Sequence, residues 1–226
     1  MGRVTPDGDL PPERGSELAL ARVAIEPGAA LDVHDPDHDV LLFVSGGSGA
    51  LGEDALAQGT AALLLPGEEA TIEAGDGGLR GVSVTVGAQT HVHAPMGSRE
   101  RVVRTEQVEA GHATGSRSFQ LLFGPRNGST RATMFAGYIP PGRAPWHYHL
   151  YDEIVWVWRG PGRYHLGDTV EELPDGAAFR IAPREVHSVE NTSTDRELAV
   201  LGIFTPAGSP SAAYLMPYVG ASTVAG

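Results

Sequence analysis

The chain contains no cysteine. Disulfides, thiol nucleophiles and Cys-ligated zinc or iron–sulfur sites are therefore excluded. Basic residues are scarce as well: 16 Lys and Arg against 28 Asp and Glu give 226 residues a formal charge of −12. A surface that acidic repels phosphate backbones and anionic lipid, so neither nucleic acid nor a membrane is an expected partner. No basic helix-turn-helix segment is present, so the chain alone is not a DNA-binding regulator. The longest apolar runs, Ala61–Leu65 and Leu198–Phe204, are strand-sized and fall far short of the roughly 18–20 residues of a membrane helix. The N-terminus lacks a basic-then-apolar signal pattern, and a soluble, cytoplasmic protein is the expectation. Sustained 3.6-residue periodicity with caps is missing too, which leaves helix only for the connector around Arg101–Gly115 or the C-terminal end.

What the chain does have is punctuation. Thirty glycines and 17 prolines separate short apolar segments, several of them β-branched, in the manner of a many-stranded all-β protein. Leu18–Ile25, Val40–Val44, Ala61–Leu65 and Leu79–Val86 form one series. Phe119–Phe123, Ala132–Ile139, Glu153–Trp158, Ala177–Ile181 and Leu198–Phe204 form a second. The two series align as an internal repeat. Ile25-Glu26-Pro27-Gly28 matches Ile139-Pro140-Pro141-Gly142, His34 falls on His147, and Gly47-Ser48-Gly49 falls on Gly160-Pro161-Gly162. Further on, Gly59 falls on Gly176 and Pro66 on Pro183. The expected organisation is a flexible leader (1–16), a first unit (17–100), a connector (101–116), a second unit (117–206) and a tail (207–226).

The second unit concentrates metal-ligating side chains. His147 and His149 are two apart, so on an extended strand both imidazoles face one way. On a straight strand Glu153 would lie roughly 20 Å from His147, too far for one ion. The chain must therefore turn near Leu150–Asp152 and bring Glu153 back on the neighbouring strand. A fourth ligand is expected from Pro183-Arg184-Glu185-Val186-His187. Burying three histidines and a carboxylate together without a cation would be costly. The set suits one divalent transition metal per chain, with Fe, Mn, Ni, Zn and Cu all open.

The runs His147-x-His149-x3-Glu153-x6-Gly160 and Gly176-x10-His187-x3-Asn191 resemble the two motifs of the cupin family. Three positions depart from that pattern. Gly142 stands one residue too close to His147, Pro183 sits one position late, and Arg184 occupies the inner glycine position of the second motif. The resemblance is strong over 117–206 and weak over 17–100. It implies an all-β fold of two tandem jelly-roll (cupin) β-barrels, a bicupin. In the first unit the ligand positions fall on His34, Pro36, Val40 and Ala70. That barrel is expected to be metal-free and kept for packing; the alternative is an improvised residual site of His34 and His38 with Asp35, Asp37 and Asp39.

All three tryptophans (Trp146, Trp156, Trp158) lie in or near the first motif. If Glu153 points inward, so do Val155 and Val157, while Trp156 and Trp158 point out and need cover from the partner barrel or a second subunit. A homodimer is thus one expected state. Either Phe179 and Ile181 or Arg180 and Ala182 line the pocket. Arg180 or Arg143 is a candidate to hold a substrate carboxylate or phosphate. Glu153, Tyr148 and Arg180 are the catalytic candidates, with Tyr164, His165 and Glu185 as other groups able to move protons. His91, His93 and His112 are expected to be structural or solvated. The resemblance implies a metal-dependent enzyme acting on a small organic molecule: a dioxygenase of a diketone, enediol or phenol, or a non-redox isomerase or decarboxylase at a carbonyl. The alternative is a non-catalytic binder or sensor with a structural metal.

Overall fold

The computed structural model describes residues 3–6, 8–87, 93–113 and 116–215. The fold is almost wholly antiparallel strand, and the 3-10 turn Thr105–Gln107 lies in the connector where the sequence left room for helix. No helix among the described residues is long and apolar enough to cross a membrane.

The first half forms one seven-stranded sheet. Two strands run longer than the sequence suggests: Asp39–Leu51 continues past Val44, and Glu69–Val86 reaches back beyond Leu79. They pair with each other through two register shifts, between Val44 and Gly46 and between Gly47 and Gly49. The glycines there bend the strand where the sequence reading had ended it. Gly47 has φ 76°, and a Cβ on it would stand 2.1 Å from the Gly78 carbonyl oxygen, so only glycine allows this bend.

The second half forms two six-stranded sheets. In the first, Asp152–Arg159 lies between Ala178–Ile181 and Leu198–Thr205, and the sheet continues to Thr133–Ile139 and Ser118–Phe123. In the second, His187–Asn191 pairs with Gly162–Leu166 on one side and with His147–Tyr148 on the other.

Three apolar clusters hold these sheets. One fills the first half (Val40, Leu42, Val44, Leu64, Ile72). Another fills the second half (Val155, Val157, Tyr164, Phe179, Ile181). The third joins the halves, setting Leu41, Phe43, Leu63 and Val84 against Met134, Ile154, Trp156 and Leu201, with Trp158 packed on it. Strict period-2 alternation makes this possible. Along Val40–Val44 the odd positions face the seam, and along Asp152–Arg159 the even ones do. Trp156 and Trp158 are therefore covered from within the same chain, Trp158 meeting Phe43 edge-on at 4.9 Å.

Residues 3–6 and 8–16, within the segment expected to be a flexible leader (1–16), are fastened to both halves. Thr5 and Ala178 exchange backbone hydrogen bonds of 2.8 and 3.0 Å, and Leu10 and Leu20 exchange two of 2.8 Å. Leu10 is buried in the seam, and the Glu171 carboxylate accepts from the Arg3 and Val4 amides. The C-terminal segment likewise returns to the second sheet, where Tyr214–Leu215 pairs with His147–Tyr148. Buried apolar surface and unpaired strand edges explain both, neither of which is visible in a Pro/Gly-rich stretch read alone.

Candidate metal centre

His147 and His187 are direct cross-strand partners, and their rings lie 4.4 Å apart between centroids. His149 stands just past that strand, its ring 5.1 Å from His187. The chain then turns through Leu150 and Tyr151, as the spacing required, but it crosses to the facing sheet instead of returning on a hydrogen-bonded neighbour. Glu153 thus arrives from the opposite wall, paired with Ile181 and Phe204. Its Oε2 comes within 2.8 Å of His149 Nε2. All four side chains are buried.

Each imidazole is oriented by a carbonyl two residues away. The Nδ1 atoms face Pro145 O (2.8 Å), Tyr151 O (3.0 Å) and Glu185 O (2.9 Å) for His147, His149 and His187 respectively. A carbonyl only accepts, so each Nδ1 carries the proton and each ring can offer Nε2 to an ion. Burial lowers the pKa of His147, aided by His187 and Arg117, to about 3. Burial likewise takes His187 down to about 3, with His149 and Arg117 contributing. Neutral rings are the form that binds metal.

Among the described residues no three such side chains are already spaced as the ligands of a bound ion. The donor set nevertheless fits one. His149 Nε2 is buried without a hydrogen-bond partner, although Glu153 Oε2 is 2.8 Å away. That approach is close yet off the hydrogen-bond axis. Two ligands sharing an ion at about 2.1 Å each stand in such a relation. Room for the carboxylate comes from Gly202, where a Cβ would lie 2.9 Å from Glu153 Oε1 and 2.3 Å from the Phe135 ring.

These groups form part of the wall of a cavity of about 90 Å³. Apolar side chains supply most of the rest, including Phe119, Phe135, Val155, Ile181 and Val200, together with Tyr151 and Arg117. Tyr151 is sandwiched between the His149 ring (4.0 Å) and the Phe204 ring (3.9 Å). Burial, reinforced by Glu153, pushes its phenol well above the ordinary range. Arg117 is half-buried; burial lowers its pKa while Glu153 and Tyr151 oppose the shift.

Two catalytic candidates lie elsewhere. Arg180 pairs with Ile154, not with Glu153, and so points into the seam. There it donates to Ser16 Oγ (2.8 Å), Leu18 O (2.8 Å) and Pro11 O (2.7 Å) and meets Glu13 at 3.3 Å. Tyr148 alternates away from His147 and stacks on Tyr214 at 5.0 Å. Of the other candidates, Arg143 is exposed over Trp146, and His165 pairs with Glu190 at 2.8 Å. Tyr164 donates to Glu185, which also binds Arg3. In the first half, Val40 lies in an apolar core, His34 faces the Glu68 carbonyl (3.3 Å) and His38 binds Asp35 (2.9 Å). His93 meets the Ala207 carbonyl at 2.8 Å, His112 is exposed, and His91 lies outside the described residues. Sequence reasoning missed Arg117 and Tyr151 as cavity residues. Tyr151 carried a signal, being two residues from each of His149 and Glu153; Arg117, in a connector without a motif, carried none.

Residues 135–204 match the cupin domain family. That stretch carries all four expected ligands. None of the curated proteins compared matches this chain. Solved structures of Bacillus subtilis oxalate decarboxylase are similar in fold. A serine-to-alanine variant aligns with TM-score 0.72 and 15% identity over 89% of this chain and 72% of that one. A structure concerned with the substrate binding mode of oxalate decarboxylase gives 0.71 and 15% over 89% and 71%. One concerned with its Mn(II) centres gives 0.72 and 15% over 89% and 72%. The likeness is one of fold, a cupin-like β jelly roll.

Proposed function

We propose that this chain is a metal-dependent enzyme that holds one divalent transition metal through His147, His149, Glu153 and His187 and transforms a small organic anion beside it. One observation carries the reading: three carbonyl-oriented imidazoles and a carboxylate converge on an apolar cavity that also contains an arginine. A bound divalent ion supplies Lewis acidity toward a substrate oxygen and, where it is redox-active, dioxygen chemistry. Glu153 tempers the charge at the centre. Arg117 draws an anionic group into the cavity and orients it. Phe119, Phe135, Ile181 and Val200 exclude water and so strengthen each of these interactions. A volume of about 90 Å³ suits a molecule of only a few heavy atoms.

The fold shared with oxalate decarboxylase, a protein with Mn(II) centres, supports manganese and a small carboxylate as the first pairing to try. Diketones, enediols and small phenols follow if the ion is iron or copper. A cavity beside the ligands favours catalysis over a purely structural or sensory metal, for which a closed shell would serve.

Elemental analysis of protein purified without added metal tests the centre. One equivalent of metal is expected in the wild type, lost in His147→Ala and in His187→Ala. Metal content unaffected by both substitutions would refute the assignment. Calorimetric titration of the metal-loaded protein with small mono- and dicarboxylates then tests the substrate class, with binding weakened about tenfold or more in Arg117→Met.

A further inference from the structure

Regular strands make up most of the cavity wall, but two irregular segments complete it. Ala113 and Arg117 precede the strand Ser118–Phe123, and Pro210 and Ala213 follow Leu198–Thr205. The second segment is held very unevenly. At its root, Gly208 both accepts from the buried Thr133 hydroxyl (2.9 Å) and donates to it (3.0 Å), and Ala207 is buried. From Ser209 to Ala213 it bonds chiefly to itself, with one long contact from Ser211 Oγ to His112 O (3.4 Å). Its far end is attached by the two-residue pairing of Tyr214–Leu215 with His147–Tyr148. The Tyr214 ring lies parallel to Tyr148, yet Tyr214 and Leu215 are each 49% exposed.

Among the described residues this segment is fixed at one end and lightly latched at the other, which is the local stability of a moving cover. We propose that Ser209–Leu215 is the lid of this cavity, opening by release of the Tyr214–Tyr148 latch, and that Pro210 and Ala213 limit the size of what the closed cavity holds. The latch closes against the strand that carries His147, so a shut lid also braces a ligand. Ala213 is small where the lid meets the cavity, and enlarging it removes space directly. The proposal takes the cavity as the substrate site proposed above, but its test needs no metal, so the two stand or fall separately.

Because the chain has no cysteine, a single introduced thiol reports its own surroundings. Val200→Cys puts one in the cavity wall, and Val155→Cys repeats the measurement from a second position. Alkylation by iodoacetamide is timed in the full chain, in the Tyr214→Ala background, in a chain ending at Gly208, and with Ala213→Leu. Tyr214→Ala is expected to speed alkylation about tenfold, since the aromatic stack that holds the latch is lost. Truncation should speed it at least as much and admit the bulkier N-phenylmaleimide. Ala213→Leu should slow iodoacetamide severalfold. Val84→Cys, in the seam between the halves, must stay protected in every background. Equal rates at both cavity positions in all four chains would overturn the proposal. So would parallel acceleration at Val84→Cys, which would mark global opening.

Discussion

Arg184 has φ 66°, the one positive value among the described non-glycine residues. Its amide donates to His149 O at 2.7 Å, so this backbone conformation ties the turn before His187 to the loop of another ligand. A left-handed arginine costs roughly 1 kcal/mol, and glycine would relieve that while adding about 0.5–1 kcal/mol of unfolded-state entropy. Arg184→Gly is therefore expected to unfold in urea within about 1 kcal/mol of the wild type and to keep its metal. Arg184→Val, whose branched Cβ resists that φ, should lose about 2 kcal/mol and bind metal more weakly. Equal stability of the two variants would show that the turn tolerates any residue. Gly202 makes a second test. Adding a Cβ there crowds Glu153 Oε1 and the Phe135 ring, so Gly202→Ala should weaken metal binding about tenfold, read by competition with a chelator dye. The family motif marks Arg184 as a departure from glycine, and the structure shows arginine taking up a glycine-like φ. Gly202 is anonymous in sequence, because its importance lies in a contact with a strand some fifty residues away.

At the scale of the element, alternation along one strand is readable and the register between strands is not. The pattern in Asp152–Arg159 separates Glu153, Val155 and Val157 from Ile154, Trp156 and Trp158 without any partner being known. Choosing between Phe179/Ile181 and Arg180/Ala182 needs the pairing of Ile154 with Arg180, a long-range fact set by how the sheet closes. Arg180 consequently holds the N-terminal strap, not a substrate. Ser16 extends the same network, donating to Asp152 at 2.5 Å. Removing the guanidinium takes one donor from the Leu18 and Pro11 carbonyls and from Ser16 Oγ and breaks the contact with Glu13, so Arg180→Met should cost about 2–3 kcal/mol in urea unfolding. Metal stoichiometry and carboxylate binding should be unchanged. A loss of carboxylate binding with stability intact would return Arg180 to the site. The strap itself, with Thr5 on Ala178 and Leu10 in the seam, was illegible for a related reason: its anchors are isolated bridges and one buried leucine in polar sequence.

For the molecule as a whole, the seam decides whether the halves are independent. Leu41, Phe43, Leu63 and Val84 present one apolar face, and Met134, Ile154, Trp156 and Leu201 present the other. Separating them would expose both, including two of the three tryptophans, to water. Faces of that kind on an isolated chain drive association, so residues 116–215 expressed alone should aggregate or oligomerise, even though they contain every proposed metal ligand. Within the full chain the shared core should couple the halves into one cooperative transition. Trp156 and Trp158 report on the seam, and far-UV circular dichroism reports on all the strands. Their unfolding curves should coincide. Phe43 belongs to the first half but touches Trp158 of the second, so Phe43→Ala should shift both curves together, by about 3–5 kcal/mol. Two separated transitions, or a monomeric 116–215 fragment that binds its equivalent of metal, would show instead that the first half is dispensable to the centre. A single shifted transition would mean that the ligand-poor half stabilises the metal-binding half across their common core.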